Sequence, residues 1–223
     1  MTKTLFITGA SSGIGAATAK AAAAAGWNVG LFARSEDKLN DLVAEIGAQA
    51  IALPGDATSY EAQKDALDKL AEKFGQVDAV FANAGRGTAQ GGTEKGDPED
   101  WKSMVDLNVM GALYTAHAAM PHLRKTTGQY VVTGSAAGRR HIKGSIYGAT
   151  KFFIHGFAGN LADEMAEWGG RCMVVSPGMV NTAFFDEAKP DKLQPDDVAS
   201  AVMHALEAPA HAAVREIYLM PVG

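Results

Sequence analysis

The chain has 223 residues, 47% of them hydrophobic, and a formal net charge of −5, enough apolar material for one α/β domain expected over residues 1–223. Modest acidity and short Lys/Arg clusters argue against nucleic acid as a partner, and no stretch approaches the roughly 20 uninterrupted apolar residues of a membrane span. A lone Cys172 cannot close an intrachain disulfide and "MTKTLFITGA" does not read as a leader, so a soluble, cytoplasmic protein is expected, with Cys172 an inert buried thiol in "RCMVVS".

Short apolar runs alternate with Ala-rich helical stretches. In chain order, strands are expected at "TLFIT", "NVGLFA", "QAIAL", "DAVFA", "QYVVTG", "RCMVVS" and "EIYLMP", with helices near 13–25, 35–46, 59–74, 98–125, 147–168 and 195–207. Such alternation builds right-handed βαβ units on a parallel sheet, and the unbroken apolar character of the strands calls for helices on both faces. The expected fold is a doubly wound α/β sandwich without repeats or linkers. Two loops, 85–98 and 181–195, follow strands at their carboxyl ends, the edge where doubly wound sheets bind ligands, and are the expected rims of a site.

"TGASSGIG", Thr8 to Gly15, follows the first strand and opens the first helix. Glycines allow the tight turn and a close approach to a pyrophosphate, whose charge is then held by amides at the helix N-terminus. The spacing of Gly9, Gly13 and Gly15 is G-x-x-x-G-x-G, not G-x-G-x-x-G, and no Gly-Lys-Ser/Thr ends it as in a P-loop. On its own the turn also reads as a plain strand-to-helix connection.

With this turn come "NAG" (Asn83, Ala84, Gly85), "LNVMG" around Asn108, "GS" at Gly134–Ser135, "YGATK" and "PGMVNT" from Pro177 to Thr182. In order and spacing they resemble the short-chain dehydrogenase/reductase family over almost the whole chain. The resemblance implies a Rossmann-type sheet of order 3-2-1-4-5-6-7 and a nicotinamide cofactor. It implies cofactor contacts from Gly9, Ser11, Ser12, Gly13, Ile14 and Gly15, from Asp56 and Ala57, from Asn83 to Gly85, and from Pro177, Gly178, Val180 and Thr182. Asp56 resembles the family's adenine contact, with a turn-forming Asp as its rival.

Tyr147 and Lys151, four apart, share a helix face. A phenol with a reference pKa near 10 exchanges protons poorly at neutral pH. A positive charge about 4 Å away, at an effective dielectric near 20, favours phenolate by roughly 4 kcal/mol, lowering the pKa by at most about 3. The resemblance makes Tyr147 the general acid/base, with Lys151 beside it and both touching the cofactor. A surface Tyr–Lys pair is the competing reading. Ser135 ends a strand at the ligand edge and can donate to the substrate oxygen, or simply cap the next turn. Asn108 is a polar residue in an otherwise apolar helix; the resemblance has it hold a water behind Lys151, and a helix-distorting role is the alternative.

The second strand ends in Ala33–Arg34 where an NAD enzyme carries an acidic residue for the ribose hydroxyl. A guanidinium pairs with a 2′-phosphate, so NADP(H) is favoured, with NAD(H) as second choice. The basic loop "GRRHIKG", 138–144, either attracts an anionic substrate or is solvated. Phe184 and Phe185 are placed to cap an apolar pocket for a small or medium carbonyl or alcohol. No metal is expected, since the histidines show no ligand spacing. The helix from Tyr147 is apolar on two sides, at Phe152 and Leu161, and the resemblance pairs it across a two-fold axis in a homodimer or homotetramer. The function expected is a carbonyl reductase or alcohol dehydrogenase. The rival is a dinucleotide-binding sensor, which has no need of Ser135, Tyr147 and Lys151.

Overall fold

The computed structural model describes residues 2–185 and 187–222. It contains β1 (Thr4–Thr8), α1 (Gly13–Ala24), β2 (Asn28–Ala33), α2 (Glu36–Ile46), β3 (Ala50–Pro54), α3 (Tyr60–Phe74), β4 (Ala79–Ala82), α4 (Pro98–Val105), α5 (Ala112–Thr126), β5 (Gln129–Thr133), α6 (Ile146–Ala166), β6 (Arg171–Pro177), α7 (Pro195–Leu206) and β7 (Glu216–Leu219). The strands form one seven-stranded sheet in the order β3-β2-β1-β4-β5-β6-β7, and all pairings are parallel. The expected strand order is therefore observed.

Alternation along each strand sends its side chains into two separate cores. From β1, Phe6 joins Phe32, Leu67, Leu70, Tyr130 and Ile154 on the face covered by α3, α5 and α6. Its neighbours Leu5 and Ile7 join Leu31, Phe81, Val175, Val198 and Val202 on the face covered by α1, α2 and α7. Each fully buried side chain of this size contributes roughly 1.5–3 kcal/mol, so both helix layers are held by the strands they cover. Cys172 is among the buried residues, and burial pushes its thiol pKa up to about 12.

The order of strand addition reverses at β1, which pairs with β2 on one side and β4 on the other. The crevice beyond the carboxyl ends of β1 and β4 is the position where such sheets hold ligands.

One expected element is corrected. The helix expected over 98–125 is interrupted: Asp106–Gly111 forms a π-helical turn between α4 and α5. The wider turn disturbs the regular helical ladder, and the buried carbonyl of Gly111 is satisfied from the side. Gln63 Nε2 donates to it at 3.0 Å and to the Ala57 carbonyl at 2.7 Å, while Thr115 Oγ1 donates to Gly111 at 2.8 Å. Propensity alone does not reveal a bulge supported by a glutamine 48 residues away.

Candidate active site

The floor of the site is a hydrogen-bonded seam across three strand ends. Thr8 Oγ1 accepts from the amides of Asn83 at 3.0 Å and Ala84 at 3.1 Å. Asn83 Nδ2 donates back to the Thr8 carbonyl at 3.2 Å, and Asn83 Oδ1 accepts from Thr133 Oγ1 at 3.2 Å. Asn83 thus fixes the ends of β1, β4 and β5 relative to one another. Thr8 and Thr133 are contributors the sequence reading missed, because strand-end threonines carry no distinguishing local signal.

Over this seam runs the glycine turn. Gly9 and Gly13 have φ of +66° and +53°, the left-handed region where a side chain is strained. A Cβ at Gly13 would also lie 3.1 Å from Thr182 Cγ2, bringing the turn and the segment after β6 together. Gly15 has a different role: a Cβ there would land on the Gly9 carbonyl oxygen, so its bareness lets α1 pack against the turn. Ser12 begins α1 without a side-chain hydrogen bond to it, which leaves first-turn amides for a ligand.

A cavity of about 1090 Å³ opens above the turn. Every cofactor and catalytic residue singled out in the sequence lines it except Gly15 and Asn108. One region holds Arg34, Asp56 and Ala57, followed by the glycine turn and the 83–85 segment; another holds Ser135, Tyr147 and Lys151, with Pro177, Gly178, Val180 and Thr182 along the wall. Arg34 is exposed and unpaired among the described residues. Asp56 Oδ1 accepts from the Thr58 amide at 2.8 Å and hydroxyl at 2.9 Å, so it shapes its turn while lining the cavity.

Ser145 caps α6 by accepting from the Gly148 amide at 2.9 Å, which places Tyr147 in the first turn and Lys151 one turn later. Ser135 takes the capping role, one of the two that the sequence left open. Its hydroxyl accepts from the Ala137 amide at 3.0 Å, capping a short 3₁₀ turn, and it lines the cavity together with Tyr147. Lys151, only 4% exposed, donates to the Thr133 carbonyl at 2.7 Å and sits 5.7 Å from the Tyr147 ring centroid.

The electrostatics depart from the sequence argument. Burial raises the Tyr147 pKa above its ordinary value, opposed by the Ser135 hydrogen bond, and burial lowers Lys151 to about 8. The simple picture, in which the ammonium pulls the phenol down, omits desolvation, which disfavours both charged forms. It also omits Thr133, whose carbonyl takes the ammonium.

Asn108, 2% exposed, lies in the π-helical turn behind the cavity. Its Oδ1 accepts from the Arg86 amide at 2.9 Å, and its Nδ2 donates to the Arg86 carbonyl at 2.9 Å and Thr150 Oγ1 at 3.1 Å. It therefore ties the rim loop after β4 to α6, one residue from Lys151. Arg86, also missed in sequence, extends this rim by pairing with Asp100 and donating to Ser103 Oγ at 3.0 Å.

On the other rim Phe184 packs on Tyr147, with ring centroids 5.4 Å apart, and on Phe185 at 5.2 Å. The basic loop is divided. Arg139 pairs with Glu216 and His141 stacks on Phe152, while Arg140 and Ile142 line the cavity. Among the described residues no three His, Cys, Asp or Glu side chains group as a metal site, and no helix is long and apolar enough to cross a membrane.

Comparison with known proteins agrees with this geometry. The family model described as short chain dehydrogenase matches residues 3–193. An uncharacterised oxidoreductase of Staphylococcus saprophyticus is 37% identical over 229 residues, covering 99% of this chain and 97% of that protein. An alcohol dehydrogenase from the archaeon Thermococcus sibiricus, complexed with 5-hydroxy-NADP, superposes with a TM-score of 0.90 at 31% identity, covering 100% of this chain and 97% of the other. A 3-ketoacyl-(acyl-carrier-protein) reductase from Brucella melitensis, complexed with NADH, gives a TM-score of 0.90 at 26% identity, covering 98% and 96%. A parallel sheet in this strand order, a glycine turn at its switch point and a match to the family model along most of the sequence lead to one conclusion: the chain is an oxidoreductase of the short-chain dehydrogenase family.

Proposed function

We propose that the chain is an NADP(H)-dependent carbonyl reductase or alcohol dehydrogenase acting on small or medium substrates, with residues 1–223 working as one domain. The observation that carries this reading is Ser135, Tyr147 and Lys151 together on the wall of a cavity whose lining continues along the glycine turn to Arg34. The residues fit a dinucleotide: bare left-handed glycines, uncapped amides at the start of α1 and an unpaired guanidinium at the end of β2. When bound, the dinucleotide supplies or accepts the hydride.

Ser135 holds the substrate oxygen with its hydroxyl, and Tyr147 donates the phenolic proton to that oxygen in reduction or accepts it in oxidation. Lys151 keeps a positive charge beside the phenol, and Asn108 holds the rim loop against α6. Arg34 receives the 2′-phosphate. The complex with 5-hydroxy-NADP in the archaeal relative supports NADP(H), and the NADH complex of the Brucella relative leaves NAD(H) as the alternative. Exposed Phe152 and Phe153 on α6, at 41% and 39%, support pairing into a homodimer or homotetramer.

The test follows NADPH absorbance against ketones, aldehydes, diketones and oxo acids. Turnover that disappears in Tyr147→Phe is the expected result. Silence across the panel, with NADPH still bound, would replace this reading with a dinucleotide-binding sensor.

A further inference from the structure

Part of the cavity is walled by Ile142, Met179, Phe184, Phe185 and Met220, and Arg140 lines the same cavity. Among the described residues Arg140 makes no hydrogen bond or ion pair. Its neighbours are held elsewhere: Arg139 by Glu216 of β7, and His141 against Phe152 with ring centroids 5.6 Å apart. The loop therefore alternates, committing Arg139 and His141 to protein partners while Arg140 and Ile142 line the cavity.

Other cations along the cavity are already engaged. Arg86 is bound to Asp100, Lys102 donates to Asp106 at 2.7 Å, and Lys151 donates to Thr133. Arg34 also lacks a partner, but stands at the end of β2, whereas Arg140 lies in the segment joining Ser135 to Tyr147. Of the anionic side chains on the lining, Asp56 accepts from Thr58, Asp106 pairs with Lys102, and Glu99 lies in the first turn of α4.

We propose that Arg140 binds a carboxylate on the substrate, so that the natural substrates are oxo acids or the corresponding hydroxy acids. The proposal rests on the carbonyl-reductase reading of the site. A planar guanidinium receives a carboxylate through two parallel hydrogen bonds, a geometry that a lone ammonium does not offer. A single unpaired fork matches one monovalent planar anion; a phosphate dianion calls for further donors, and the other cations near the reacting groups are committed.

The test compares 2-oxo and 3-oxo acids with their methyl esters, using NADPH and measuring kcat/KM for wild type, Arg140→Gln, Arg140→Lys and Lys143→Gln. Hydrogen bonds to charged groups correspond to about a ten- to hundredfold effect. Wild type is expected to prefer at least one acid over its ester by that factor. Arg140→Gln should abolish the preference through KM for the acid, and Arg140→Lys should keep part of it. Lys143→Gln removes a charge from the same loop, off the cavity lining, and should keep the preference. Calorimetric titration with an unreactive alkyl carboxylate should show the same dependence on Arg140. Esters reduced as well as the acids by wild type, equal losses of acid and ester in Arg140→Gln, or weakened NADPH binding in that variant would each overturn the proposal. Reduction of neutral ketones alone would overturn it and leave the carbonyl-reductase reading intact; no turnover with any carbonyl would remove both.

Discussion

Lys151 donates to the carbonyl oxygen of Thr133 at 2.7 Å while its ammonium lies 5.7 Å from the Tyr147 ring centroid. One side chain thus joins the end of β5 to α6 and brings a positive charge beside the phenol. The cost of this arrangement is desolvation, since burial lowers the Lys151 pKa from 10.5 to about 8.

That shift makes a stability prediction with a definite sign. A lysine whose folded pKa lies below its unfolded value binds its proton more weakly in the native state. Between pH 8 and 10.5 the unfolded chain carries the extra proton, so this group makes stability rise with pH in that window, and the gain is lost as pH falls through 8. Lys151→Met lacks the rise. The stability of the variant minus that of wild type should therefore become less favourable by up to about 3 kcal/mol between pH 7 and pH 10. Urea unfolding at both pH values measures it; a constant difference would show that Lys151 is not held in a desolvated site.

Tyr147→Phe keeps the ring that packs at 5.4 Å on Phe184 and removes only the titrating hydroxyl. NADPH binding should remain close to wild type while kcat falls by about 10² to 10⁴, the range of general acid–base catalysis. Stopped-flow turnover alongside fluorescence titration separates the two effects. A variant retaining more than half of the wild-type kcat would remove Tyr147 from the chemistry.

Much of this site was legible because its parts are local. "TGASSGIG" and "YGATK" hold their geometry within a few residues, and apolar strands alternating with helices indicate the layers and the ligand edge. The hidden parts are long-range. Gln63 supporting the Gly111 carbonyl, Asn108 holding Arg86 and Asn83 joining three strands are pairings between segments 22 to 75 residues apart. The tyrosine–lysine spacing was visible, but the dominance of burial over their attraction was not. Desolvation depends on the surrounding protein, which a pair spacing does not report.

Gly13→Ala tests the turn itself. With φ at +53°, a Cβ costs roughly 1–2 kcal/mol in backbone strain, and here it also meets Thr182 Cγ2 at 3.1 Å. Gly26→Ala is the control, since Gly26 has φ of +85° and nothing within 4 Å of the added atom. Both variants should lower Tm, but only Gly13→Ala should weaken NADPH, by about tenfold, a loss of roughly 1.4 kcal/mol. Equal NADPH affinity in the two would mean that the turn does not cradle the dinucleotide.

The proposed preference for NADP(H) rests on Arg34, exposed at the end of β2, on the cavity lining and without a partner among the described residues. If its guanidinium receives the 2′-phosphate, Arg34→Ala should weaken NADPH more than NADH, because only NADPH carries the additional anion. Hydrogen bonds to charged groups contribute roughly 1.5–3 kcal/mol, so the NADPH/NADH preference should fall by about ten- to a hundredfold. The loss should shrink as salt rises, since an exposed pair is screened over about 10 Å at 0.1 M ionic strength. Ser35, also on the cavity lining, offers a hydroxyl that would soften the effect without reversing it. Titration of wild type and variant with both dinucleotides decides the matter. Equal losses, or a wild type that prefers NADH, would make Arg34 a solvated strand-end residue and transfer the preference to NAD(H).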